Sequence, residues 1–188
     1  MKCLLLLLTI ILCIQCNNKK KKNINWFETA SCIELEDSLV WETYKKRADI
    51  YLQRFDGTPI TGKILMLCAR EAYSKYGVFI PVEFTLAQAQ MESGMGRKGR
   101  SPRTNPCNIG EYSDKTVLRY TSTYDGMRAY YKFICVNYLN YGKRTIYDLF
   151  DNFVDRRGYK YAASKTYGER MERQYVFIIR FINENENL

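Results

Sequence analysis

The sequence predicts a mainly α domain of the α+β kind carrying one small β-hairpin, and three observations lead there. Apolar residues recur at helical spacing along several segments. Three helix starts place a capping side chain three residues before an acid: Ser122 with Asp125, Thr145 with Asp148, and Thr166 with Glu169. Only residues 108–120 read as extended, in two short pieces around Ser113-Asp114-Lys115, which suits a hairpin. Nothing in the pattern suggests a parallel sheet.

The elements follow in order. Residues 37–54 form an amphipathic segment, expected either as a packed preceding helix or as a stalk. Phe55-Asp56-Gly57-Thr58-Pro59 is a break. From Gly62 to Tyr76, Ile64, Cys68, Ala72 and Lys75 step by three or four with Leu65 alongside, which predicts a helix ending at Gly77. Pro81 opens the next helix, which runs through Phe84-Thr85-Leu86-Ala87-Gln88-Ala89-Gln90-Met91-Glu92 to about Ser93. Glycine, proline and basic residues make 94–107 a loop. The helix capped by Ser122 places Met127, Tyr130, Tyr131, Ile134 and Tyr138 on one face. The last helix does the same with Tyr167, Met171, Tyr175, Ile178 and Ile182, and both stripes are expected to be core.

The amino terminus is read separately. Lys2 precedes an apolar run from Cys3 to Ile14, shorter than the ~20 residues that cross a bilayer, and this is the layout of a secretory signal. The run ends at Leu12-Cys13-Ile14-Gln15-Cys16, similar to a lipoprotein box with Cys16 as the lipidated residue; the alternative is a signal peptide without lipid. The expected organisation is a signal peptide over 1–15, a lipidated basic tether over 16–23, a helical extension over 24–56, the main domain over 57–183 and a tail over 184–188. This implies an exported protein anchored to a membrane and facing the periplasm or cell surface.

Charge fits that division. Lys2 is the only charge in 1–15, so the remainder has 28 Lys and Arg against 20 Asp and Glu, a net of +8. Lys19, Lys20, Lys21 and Lys22 supply four of these, leaving too small an excess to argue nucleic-acid binding. Cys32, Cys68, Cys107 and Cys135 are widely spaced without a C-x-x-C pair, which argues against zinc. Cys68 and Cys135 are expected as buried apolar thiols.

The chain has no histidine. Ser-His-Asp and Cys-His nucleophile systems and the H-E-x-x-H metalloprotease site are therefore excluded. Acid–base chemistry must use carboxylates, tyrosine or lysine. Gly94-Met95-Gly96-Arg97-Lys98-Gly99 matches G-x-G-x-x-G, but it follows a helix where a dinucleotide site requires a strand. No cofactor is implied.

Glu92 is the informative carboxylate. It ends an apolar helix and precedes Ser93, Gly94 and Gly96. The negative end of the helix dipole and apolar neighbours both favour its neutral form. A neutral carboxylic acid is what protonation of a glycosidic oxygen requires.

Leu86-Ala87-Gln88-Ala89-Gln90-Met91-Glu92-Ser93-Gly94-Met95-Gly96 resembles the A-Q-A-x-x-E-S-G-x-G segment of glucosaminidase-type peptidoglycan hydrolases, the family of bacterial autolysins and flagellar muralytic enzymes. Asn105-Pro106-Cys107-Asn108-Ile109-Gly110 resembles the family's N-x-x-N-x-G stretch, and Tyr161-Ala162-Ala163-Ser164-Lys165-Thr166-Tyr167 its Y-A-T-x-x-x-Y. The resemblance covers roughly residues 60–183 and implies a lysozyme-like helical domain with one small hairpin.

The resemblance implies that Glu92 is the general acid, that Asn108 holds the loop and contacts sugar, and that Tyr161 lines the cleft. A second carboxylate is expected on the hairpin, with Glu111 and Asp114 as candidates and Glu111 nearer the Asn108 loop. Tyr112 and Tyr159 are candidates for stacking on sugars. Arg97, Lys98, Arg100 and Arg103 either steer an anionic wall polymer or form a solvated basic loop. The expected partner is the peptidoglycan glycan strand, cut at β-1,4 bonds by an N-acetylglucosaminidase. The rivals are a muramidase or lytic transglycosylase on the same fold, and a non-catalytic wall-binding lipoprotein.

Overall fold

The computed structural model describes residues 38–98, 103–110, 118–139, 150 and 165–186. Five helices lie among them: α1 (Ser38–Leu52), α2 (Gly62–Tyr76), α3 (Val82–Ser93), α4 (Thr123–Asn137) and α5 (Tyr167–Asn185). The fold is mainly α, as the sequence predicts. The helix start at Thr145 and residues 111–117 of the expected hairpin lie outside the described residues; on either side of the latter, Leu118 N–H donates to Gly110 O (3.3 Å).

Helix α3 is the axis of the molecule. Every residue from Val82 to Ala89 is buried, so the helix is enclosed all round rather than on one stripe. It packs against α5 and α1, while α2 packs against α4 and α1. Its buried polar side chains are each satisfied. Glu83 accepts from Arg47 Nε (2.7 Å), and the Thr85 hydroxyl donates to Tyr131 (3.0 Å), whose own hydroxyl meets that of Tyr44 (2.6 Å). An enclosed polar group costs free energy unless paired, so these contacts specify how α1 and α4 seat on α3.

Of the two expectations for residues 37–54, the structure has the packed helix. Trp41, Tyr44, Ala48, Tyr51 and Leu52 of α1 join the common core. Arg47 spans the domain: besides Glu83 it bonds Glu186 (2.8 Å) and Asn183 (3.2 Å), tying α1 to the start of α3 and the end of α5.

Two local readings are corrected. The buried face of α2 is Leu65, Cys68, Ala69, Ala72 and Tyr73; Ile64 is half-buried and Lys75 exposed, so the face lies slightly round from the predicted stripe. Packing against both α1 and α4 sets that face, and periodicity alone does not locate its centre. Ser122 caps α4 as predicted, its hydroxyl accepting from Asp125 N–H (3.1 Å). Thr166 stands at the start of α5 with ψ 12°, and its side chain makes no capping bond there. The stripes of α4 and α5 are buried throughout, as are Cys68 and Cys135.

Candidate active site

Glu92 lies in the last turn of α3, partly buried. The Tyr167 hydroxyl, from the first turn of α5, donates to its Oε1. That hydroxyl accepts in turn from Gln88 Nε2 (3.1 Å), and Gln88 Oε1 accepts from Tyr130 OH (2.9 Å). Gln88 is one helical turn before Glu92 and shares its face. The network therefore has one polarity, from Tyr130 through Gln88 and Tyr167 to the carboxyl group. Oε1 of Glu92 is the final acceptor of this network.

Burial raises the Glu92 pKa above the ordinary glutamate value, and this outweighs hydrogen bonds from Tyr167 and Asn108 and the positive charge of Arg170. The Cys107 thiol, buried and pushed well up by desolvation, forms part of the apolar surroundings and contacts Met127 Sδ (4.0 Å).

The loop that brings Asn108 to Glu92 is built by the motif residues around it. The Ser93 hydroxyl lies 2.6 Å from Pro106 O and accepts from Gly96 N–H (2.7 Å), joining the end of α3 to the loop. Gly96 has φ 73°, and a Cβ there would sit 2.8 Å from Pro59 Cγ, so only glycine fits. Asn105 is fully buried; its Nδ2 donates to Ile109 O (2.9 Å) and Leu118 O (2.8 Å), and its Oδ1 accepts from Ile109 N–H (3.2 Å). Asn105 thus closes the loop. Asn108, with φ 51°, turns its side chain to Glu92. Gly94 and Gly96 of the G-x-G-x-x-G string, both in the left-handed region, serve this turn.

Tyr167 is a core residue of the α5 stripe, as the sequence predicts, but sequence reasoning missed its second role: its hydroxyl reaches the candidate acid. Its place at the end of the third motif was the available signal. Gln88 and Tyr130 were likewise not singled out. Arg103 anchors its loop through Gly57 O (2.8 Å), and Arg97 lies 5.7 Å from the Phe55 ring. Glu111, Tyr112, Asp114, Tyr159, Tyr161, Arg100 and Cys16 lie outside the described residues.

A concavity of about 240 Å³, away from Glu92, lies between α2 and α4 and is lined by Glu71, Lys75, Asp125 and Arg128 among others. It does not suit acid catalysis. Both Glu71 oxygens accept from Arg128 Nε (2.8 Å each), which holds the Glu71 carboxyl below the usual range and ionised.

No curated protein matches the chain. A family model, glucosaminidase (mannosyl-glycoprotein endo-beta-N-acetylglucosaminidase), matches residues 67–176, which run from within α2 into α5 and include Glu92, Asn108 and Tyr167. That span is more than half of the chain, and the chain belongs to the glucosaminidase family.

Proposed function

We propose that this protein cleaves β-1,4 bonds of the peptidoglycan glycan strand as an N-acetylglucosaminidase, with Glu92 as general acid. The observation that carries the reading is a half-enclosed carboxyl group with a raised pKa and one oxygen tied to Tyr167. Burial favours the protonated acid before reaction. As the glycosidic C–O bond breaks, Glu92 gives its proton to the leaving oxygen, and charge develops on the carboxylate and at the anomeric carbon. Tyr167, Asn108 and Arg170 then stabilise the carboxylate, because each favours its charged form. The same surroundings hold the proton and receive the charge left when it departs.

The second catalytic group belongs, on this reading, to the segment after Asn108. Glu111 is the carboxylate of choice and Asp114 its rival; otherwise the sugar's own N-acetyl group assists. Tyr112, Tyr159 and Tyr161 are proposed to line the sugar path. Lipidation at Cys16, followed by the basic stretch at 19–22, is proposed to hold the domain at a membrane within reach of the wall.

The test is the fragment chemistry. Purified peptidoglycan treated with the enzyme is expected to release fragments with N-acetylglucosamine at the reducing end, read by mass spectrometry. Muramic-acid reducing ends or anhydro ends would overturn the assigned bond. Glu92→Gln is expected to lower the rate by about 10²–10⁴-fold; a loss of only a few-fold would remove Glu92 from its role.

A further inference from the structure

Where α1 ends beside α5, aromatic rings and arginines gather on the surface. The Arg54 guanidinium lies 4.6 Å from the ring centroid of Phe181, 5.0 Å from Phe177, 5.2 Å from Tyr51 and 5.8 Å from Phe55. Arg97 approaches Phe55 at 5.7 Å. Neither arginine has an ion-pair partner among the described residues. Phe177 is 44% exposed, unusual for so large an apolar side chain in this domain.

This patch is continuous with the Glu92 site. Arg170, Gln174, Phe177 and Phe181 step by four, three and four and share one face of α5, spanning about 16 Å. At one end the charge of Arg170 acts on Glu92; at the other the phenylalanines lie under Arg54. Between them Gln174 donates to Tyr51 OH (3.1 Å) and Gln90 Oε1 (3.0 Å), fixing α1 and α3 to the track. Arg54, Phe55, Phe177 and Phe181 fall outside residues 67–176, while Arg97 falls within them, so most of the patch lies beyond the matched family segment.

We propose that Arg54, Phe55, Arg97, Phe177 and Phe181 form an outer binding surface for a peptidoglycan strand still carrying its anionic peptide stems. The proposal rests on the glycosidase reading above and extends it from the reacting bond to the polymer beyond. The negative face of an aromatic ring attracts the slightly positive C–H face of a sugar. A guanidinium pre-positioned over rings loses little freedom on meeting a stem carboxylate, which it can grip with two parallel bonds. A membrane surface fits less well, because Arg54 lies over the rings and insertion requires protruding apolar groups.

Arg54→Gln and Phe177→Ser, made singly and together in the full chain, test the proposal. Both positions are exposed, and an unchanged melting temperature verifies the fold. KM is measured on stem-bearing strands, on strands stripped of stems by an amidase, and on chito-oligosaccharides too short to reach the patch. Phe177→Ser is expected to raise KM about tenfold on both polymers, and Arg54→Gln by a similar factor only on the stem-bearing one. Neither is expected to alter turnover of the short substrate. Equal losses on short and long substrates, or unchanged KM on polymers, would overturn the proposal. So would unchanged polymer KM with lost self-association or lost binding to anionic vesicles, which would give the face to a second copy or a membrane. Pull-down of Glu92→Gln protein by intact sacculi, with and without the patch substitutions, reads the surface independently of cleavage. If the unsubstituted enzyme cuts none of the three substrates, the glycosidase reading fails; if patch substitutions still weaken the pull-down, the surface stands.

Discussion

Glu92 and Glu71 show how surroundings divide two glutamates of one domain. Glu71 is partly exposed beside a guanidinium and is held toward its ionised form, whereas Glu92, also partly buried, is desolvated and held toward its neutral form. The raised pKa has a stability consequence. Between the ordinary glutamate value and the folded value, the folded chain binds more protons than the unfolded chain, so stability falls as pH rises through that interval. Glu92→Gln, which resembles the protonated acid, is expected to melt with the native protein below about pH 4 and above it at pH 7. Melting curves at the two pH values check this; a neutral-pH melting point below the native one would contradict a desolvated acid. Tyr167→Phe removes a donor that stabilises the carboxylate, so the Glu92 pKa is expected to rise further. The alkaline limb of the pH–rate profile then moves to higher pH while turnover falls about 10–100-fold. A limb moving to lower pH would show that Tyr167 favours the neutral form instead.

At the scale of elements, α3 supplies the acid and the following loop aims it. The loop depends on close approach to α4, a helix whose Tyr130 reaches Glu92 only through Gln88 and Tyr167. A Cβ on Gly126, in the first turn of α4, would fall 1.8 Å from Thr104 O, one residue before Asn105. Gly126→Ala is therefore expected to cost about 1–3 kcal/mol in urea unfolding and to reduce activity by displacing Asn105 and Asn108. Native stability and activity together would mean that the loop yields without moving Asn108. Helix starts and ends were legible in the sequence where they are local: Ser122 caps its own helix, and Gly77 and Gly94 terminate theirs in left-handed conformations. The α2 face was less legible, because two neighbouring helices share its burial and periodicity gives only the repeat.

For the whole molecule, the folding unit begins well before the family match. Trp41, Tyr44, Ala48 and Tyr51 of α1 are buried in the common core, and Arg47 joins α1 to Glu83 and Glu186 across it. A chain beginning at residue 57 would expose the apolar surfaces of α2, α3 and α5 and leave Glu83 enclosed without its cation. It is expected to lose cooperative unfolding and all activity on peptidoglycan, as calorimetry and gel clearing would show. A truncated chain that melted cooperatively and cut peptidoglycan would demote α1 to an appendage.

Helical class, the lack of any histidine-based chemistry and the candidacy of Glu92 were readable from the chain because they rest on residue identity and short-range spacing. Asn105-Pro106-Cys107-Asn108 was readable as a motif, but its division of labour was not: one asparagine closes the loop and the other turns to the acid. Tyr167 had the period of a core residue and is buried like one, yet its hydroxyl meets a carboxyl group 75 positions earlier in the chain. Periodicity reports which face of a helix is enclosed. Only the packing of α5 on α3 determines which polar atom waits at the end of a buried ring, and burial against that packing is what raises the pKa of Glu92.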